Sequence, residues 1–132
     1  MTVRGLLDTS VFIANEMGRP LETALLPLNS FVSAVTMAEL QVGVFAARDT
    51  DTRARRLRTF EVASTIDALP IDAVAASEWS RLRYRLFEAG RRADINDLWI
   101  ASVALANGMP VVTQESGFEV LVDLGGPEII LV

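Results

Sequence analysis

The stretch GLLDTSVF, residues 5 to 12, sets Asp8 directly behind an apolar pair and ahead of two hydroxyls and a second apolar run. An unbroken apolar pair ending in a carboxylate reads as the exit of a short strand buried on both faces. The chain then runs into an amphipathic stretch through Met17. After Gly18 to Pro20, the segment LETALLPL predicts a second short helical piece.

Further along, SFVSAV is rich in β-branched and aromatic residues and predicts a strand. The segment TMAELQVGVFAA predicts a helix, with Thr36 and Glu39 at capping-box spacing. A basic amphipathic helix, DTDTRARRLRTFEVAS, and an extended piece, IDALPI, come next. In DAVAASEWSRLRYRLFEAG, Ala75, Trp79, Leu82 and Leu86 fall on one helical face and Gly90 supplies a stop. NDLWIASVALANG predicts another helix. VVT predicts a compact strand, SGFEVLV a short helix or turn, and EIILV the last strand. Strand and helix in alternation imply right-handed crossovers and a parallel sheet covered by helices, an α/β sandwich. No Gly-, Ser- or Pro-rich linker splits the chain, so residues 1–132 are expected to form a single domain.

Composition narrows the chemistry. The chain has no cysteine and no histidine, and all 12 of its basic residues are arginine. That excludes disulfides, thiolate and imidazole zinc sites, the Ser-His-Asp triad, Schiff bases and a Walker lysine. Carboxylates, hydroxyls and arginines must carry any catalysis, and carboxylates alone favour hard cations. A net charge of −5 argues against a protein that coats nucleic acid generally, while leaving room for a local basic rim. No signal-peptide pattern opens the sequence, and its apolar runs are broken well short of a membrane span, so a soluble cytoplasmic protein without membrane contact is expected.

In a parallel sheet, ligands gather outside the carboxyl ends of the strands. Asp8 leaves the first strand, Glu39 lies in the first turn after the second, and Glu115 stands just beyond VVT. Asp97 joins them if the loop AGRRADIN returns to the same edge before its helix starts. Converging carboxylates raise one another's pKa unless a positive charge sits among them, and a metal ion is the economical candidate. Ser10 and Thr113, near the same strand ends, are placed to orient the acids or water. Each acid also has a purely structural alternative: Asp8 and Asp97 as helix caps, Glu39 as the partner of Thr36, Glu115 as an ordinary turn residue.

The arginines at 53, 55, 56 and 58, and at 81, 83 and 85, read as solvated helix faces with pairs such as Arg85 with Glu88. Arg91 and Arg92 immediately precede the loop of Asp97 and are candidates to meet a substrate phosphate at the rim. Trp79 and Trp99 sit in apolar patterns and are expected to pack in the core.

With LLDTSVFI at the start, VTMAEL in the middle and INDLWIASVALANGMPVVTQ near the end, the chain resembles the PIN-domain ribonucleases, and within them the VapC-type toxins of bacterial toxin–antitoxin pairs. The resemblance covers essentially the whole chain. It implies an α/β/α sandwich around a parallel sheet, with an acidic pocket that holds Mg²⁺ or Mn²⁺ and cuts RNA phosphodiester bonds. Asp8, Glu39 and Asp97 match the family's three principal acids, Ser10 its hydroxyl after the first acid, and Thr113 the threonine ending its late strand. Glu115 stands where a further aspartate or asparagine is usual. By this resemblance Asp8 and Asp97 hold the main ion, and Glu39 and Glu115 orient waters or a second ion, Glu115 through its longer side chain. It also implies a homodimer silenced by a cognate VapB-type antitoxin.

The competing class is a catalytically silent module that keeps the fold and binds a protein or RNA partner through the same groove. Retention of three mutually repelling acids argues against it. A receiver domain or aspartate-nucleophile phosphatase is disfavoured by the missing lysine and by DTS, which lacks the phosphatases' second acid. Cutting DNA would use the same acids.

Overall fold

The apolar pair ahead of Asp8 faces two ways. In the computed structural model, which describes residues 2–132, Leu6 and Leu7 are both buried but belong to different cores. They lie on strand β1 (Arg4–Leu7), and successive side chains of a strand point to opposite faces of its sheet. Val111 and Val112 of strand β4 (Val111–Thr113) divide in the same way, with Leu6 paired to Val111 and Leu7 to Val112.

The remaining elements are α1 (Thr9–Glu16), β2 (Asn29–Ser33), α2 (Ala34–Ala46), α3 (Thr50–Ser64), β3 (Asp67–Leu69), α4 (Ala73–Ala89), α5 (Ile95–Ala106) and β5 (Ile129–Leu131). A 3₁₀ segment, Gly117–Leu124, follows β4. The five strands are parallel in the order β3-β2-β1-β4-β5. The chain moves outward from β1 through β2 to β3, then returns across the sheet to start β4. The β1–β4 seam is therefore the point where strand order reverses, and the carboxyl ends of strands open into a crevice there.

One core joins Leu82 and Leu86 of α4, Ile100 and Val103 of α5, and Phe118 and Leu121 of the 3₁₀ segment to Leu6 and Val111. The other joins Val11 and Phe12 of α1, Leu40 of α2 and Ala63 of α3 to Leu7, Val32 and Val112. Each fully buried Leu or Phe contributes about 1.5–3 kcal/mol, so the two layers of helices are held on by apolar burial. The α/β/α sandwich with a central parallel sheet expected from the sequence is the fold observed.

Local chemistry explains where the elements stop. Gly90 caps α4 in the left-handed conformation at φ 65°, as the sequence suggests, and lets the Arg91 amide reach back to the Leu86 carbonyl at 2.9 Å. The segment LETALLPL forms only a 3₁₀ turn, Thr23–Leu25, because Pro27 biases Leu26 to an extended conformation at ψ 144°. The second strand also ends earlier than the sequence implies. Ser33, not Thr36, caps α2, its hydroxyl accepting from the Thr36 amide at 3.1 Å.

The arginines are less idle than a solvated face predicts. Arg53 donates to the Ala47 carbonyl and Arg56 to the Gly43 carbonyl, each at 2.7 Å, pinning α3 to the end of α2. Arg85 donates to the Leu124 carbonyl at 2.8 Å and not to Glu88, and Arg91 pairs with Asp123 at 2.6 Å. Those two contacts strap the 3₁₀ segment onto the end of α4. Trp79 and Trp99 are half-buried and stack on each other across α4 and α5, with ring centroids 4.9 Å apart. Among the described residues, no helix is long and apolar enough to cross a membrane.

Candidate active site

Asp8 sits where β1 becomes α1 and is 3% exposed. Its Oδ2 accepts from the Ser10 hydroxyl at 2.7 Å, the Thr113 hydroxyl at 2.9 Å and the Ser10 amide at 3.3 Å. The structural alternative is thus partly realised, since Asp8 is the N-cap of α1. One oxygen does all of that work. Oδ1 takes no hydrogen bond among the described residues, and it is not sealed from solvent. The hydroxyls of Ser10 and Thr113 are themselves 3.1 Å apart, and the Gln114 amide donates to Ser10 at 3.0 Å. This net locks the end of β1 to the end of β4 and fixes the rotation of the Asp8 carboxylate.

Glu39 lies on α2, half-buried, and does not complete a capping box. Its Oε1 accepts from the Thr9 hydroxyl at 2.7 Å, and Thr9 also lies 3.0 Å from the Thr36 hydroxyl. Thr9 is the site residue the sequence reading missed. The signal was there in DTS: two adjacent parallel strands each end in a helix start, so the residue after Asp8 faces the first turns of α2.

Asp97 stands in the first turn of α5, but capping falls to Asp94, whose Oδ1 accepts from the Asn96 and Asp97 amides at 2.9 and 3.0 Å. The Asp97 carboxyl is left free of that duty. Burial pushes its pKa up to about 7, helped by the charges of Asp8, Asp94, Glu115 and Glu39. All four predicted acids therefore share one field, Glu115 from an exposed position beyond β4. Among the described residues, no three of these groups stand close enough to form a finished metal cage, as expected of like charges with no cation between them. The donors present are carboxylate and hydroxyl oxygens, a set that fits a hard divalent cation and not a soft one.

Gly117 adds a constraint. Its φ is not in the left-handed region, so the backbone does not require glycine there, but a Cβ at this position would lie 3.1 Å from Oδ2 of Asp97. The missing side chain is what lets the start of the 3₁₀ segment come against Asp97. Arg91 is engaged with Asp123, whose carboxyl it holds below the usual carboxylate range, whereas Arg92 makes no ion pair among the described residues.

Residues 5–123 match the PIN domain. This chain belongs to the PIN-domain family. Within the family, the PIN domain described here is 52% identical to Ribonuclease VapC5 of Mycobacterium tuberculosis over 97% of its own length and 95% of the relative's. It is 37% identical to Ribonuclease VapC4 of the same organism, over 92% and 93% of the two chains. Its fold superposes on a crystal structure from the VapBC-5 toxin–antitoxin system of M. tuberculosis with a TM-score of 0.92 and 49% identity, covering 98% of this PIN domain and 99% of that chain.

Proposed function

We propose that this PIN domain is a metal-dependent endoribonuclease toxin, restrained by a VapB-type antitoxin and acting in the cytoplasm as a homodimer of single-domain chains. The observation that carries the reading is the shared field of Asp8, Glu39, Asp97 and Glu115 at the switch point of a parallel sheet. The near full-length likeness to chains named ribonucleases supports it, and likeness to a toxin–antitoxin structure supports the partner.

In this reading Asp8, Asp97 and Glu115 hold Mg²⁺ or Mn²⁺, and Glu39 orients water. When bound, the cation supplies charge neutralisation and activates water for phosphodiester hydrolysis at neutral pH without histidine. The chain's own residues set the geometry. Ser10 and Thr113 hold one oxygen of Asp8 and leave the other to the pocket. Thr9 holds one oxygen of Glu39, and Asp94 relieves Asp97 of capping. These are the outer contacts that orient ligands in metal sites generally.

The test is cleavage of a mixed cellular RNA pool by antitoxin-free protein, with Mg²⁺ or Mn²⁺ and with chelator, alongside Asp8→Asn. Discrete products that require both cation and Asp8, with at least a hundredfold loss in the variant, are expected. Intact RNA in every lane, together with no heat of Mn²⁺ binding, would overturn the reading in favour of a silent docking module.

A further inference from the structure

The cleft proposed to cut RNA is lined by acids, which repel a polyanion. A substrate strand therefore needs a positive foothold close by. Around Glu39 the arginines do not offer one freely: Arg53 and Arg56 are spent on backbone carbonyls, and Arg55 pairs with Glu16 at 3.5 Å.

On the other side of Asp97 the situation reverses. Arg83, Arg91 and Arg92 line a single cavity of about 290 Å³, floored by Leu98 and bordered by the exposed Ile95. No carboxylate lines it. The side chains of Arg83 and Arg92 make no ion pair or hydrogen bond among the described residues, and Arg91 is held in place by Asp123 at the edge. The end of α4 draws no hydrogen bond from these guanidiniums, the Gly90 and Arg91 amides being the groups that reach its Leu86 and Phe87 carbonyls. In a chain with 17 acids and a net charge of −5, Arg83 and Arg92 keep two unpaired guanidiniums on an acid-free cavity, beside an Arg91 already paired to Asp123, and an added anion would relieve their repulsion. Leu98, which lines the cavity, is the residue after Asp97 on α5, so the cavity borders the same first turn of the helix that carries the acid.

We infer that the Arg83–Arg91–Arg92 cavity is a phosphate subsite, which grips the backbone of single-stranded RNA beside the bond being cut. This rests on the ribonuclease reading above. Guanidinium is suited to the task, since its planar fork meets phosphate oxygens through parallel N–H donors. The subsite contributes affinity and register and does not take part in bond cleavage.

The experiment measures binding of a short, labelled, mixed-sequence single-stranded RNA to the Asp8→Asn protein across a salt series. Arg83→Ala and Arg92→Ala are each expected to weaken binding several-fold, and each to lower the slope of log K against log salt by about 0.7. Arg48→Ala, an exposed arginine elsewhere, is expected to change neither. Arg83→Lys and Arg92→Lys should keep most of the slope, which separates charge from fold, and melting temperatures check the latter. Unchanged affinity and slope in the folded double alanine variant would overturn the subsite, as would failure of the parent to bind the RNA. If wild type still cuts RNA in that case, only the subsite falls; if it does not, the ribonuclease reading falls as well.

Discussion

At the residue scale the site is a set of acids whose rotations are fixed by hydroxyls. Thr9→Val keeps the shape of the side chain but leaves Glu39 without its donor. It is expected to lower cleavage about tenfold and stability by about 1–2 kcal/mol, read by initial rates and urea unfolding. Gly117→Ala pushes a methyl group against Asp97, which must give by a few tenths of an ångström. Weaker Mn²⁺ binding by calorimetry is expected, with the melting temperature of the metal-free protein nearly unchanged; undiminished affinity would show that Asp97 has slack.

Asp97 also carries a pH signature. Its carboxyl titrates near 7 in the fold against an ordinary value of 3.8, so between these values the folded chain holds a proton that the unfolded chain has lost. Stability contributed by this group therefore falls as pH rises through that window, and the full penalty is present above it. Asp97→Asn removes the penalty. In metal-free protein it should raise the unfolding free energy at pH 8 by on the order of 1 kcal/mol, once solvent around this half-buried group is allowed for, and hardly at all at pH 4, as read by urea unfolding. An equal gain at both pH values would refute the assignment.

At the scale of elements, α5 shows a division of labour between neighbours. Asp94 caps the helix, and Asp97, freed from capping, is available to the cleft. Asp94→Asn preserves a good cap and deletes one of the charges acting on Asp97. The helix should keep its stability within a few tenths of a kcal/mol while the Asp97 carboxyl titrates lower, as followed by carboxyl NMR. Asp94→Ala should instead cost about 1 kcal/mol. The sequence carried much of this, because apolar periodicity and Gly90 marked α4 and the switch from VVT to a turn marked β4. It misled at Ser33 and Thr36, where two hydroxyl residues three apart both look like caps and only the strand pairing of β2 decides between them. Arg85 was also misread, since its partner, the Leu124 carbonyl, lies 39 positions away and periodicity sees only neighbours on the same helix.

For the whole molecule, the order of strands could be argued only as a class from the alternation of elements. That β1 lies between β2 and β4 follows from long-range pairing, and with it the meeting of Asp8 and Thr113. The sharing of one field by Asp8, Glu39, Asp97 and Glu115 was legible as a consequence of strands ending on one side. The hydroxyl of Thr9 was legible only in kind, as the residue after Asp8 in DTS, and the close approach of Gly117 was not legible at all, because it depends on distances between layers. If a divalent cation binds this acid field, folding and binding are linked, and saturating Mn²⁺ at a hundred times its dissociation constant should stabilise the protein by about 2.7 kcal/mol. A melting temperature that ignores the cation would contradict it.

The seam between β1 and β4 has a consequence for synthesis. Of the two hydroxyls that fix Asp8, that of Thr113 is 105 positions away, so the first acid leaves the ribosome long before this partner exists. At about 5–20 residues per second that interval is of order 5–20 s. Throughout it the nascent chain bears an unfinished cleft, and truncated products ending before β4 lack the geometry altogether. A cell making this protein is shielded from copies that stop before β4, and the hazard begins only once translation has passed it.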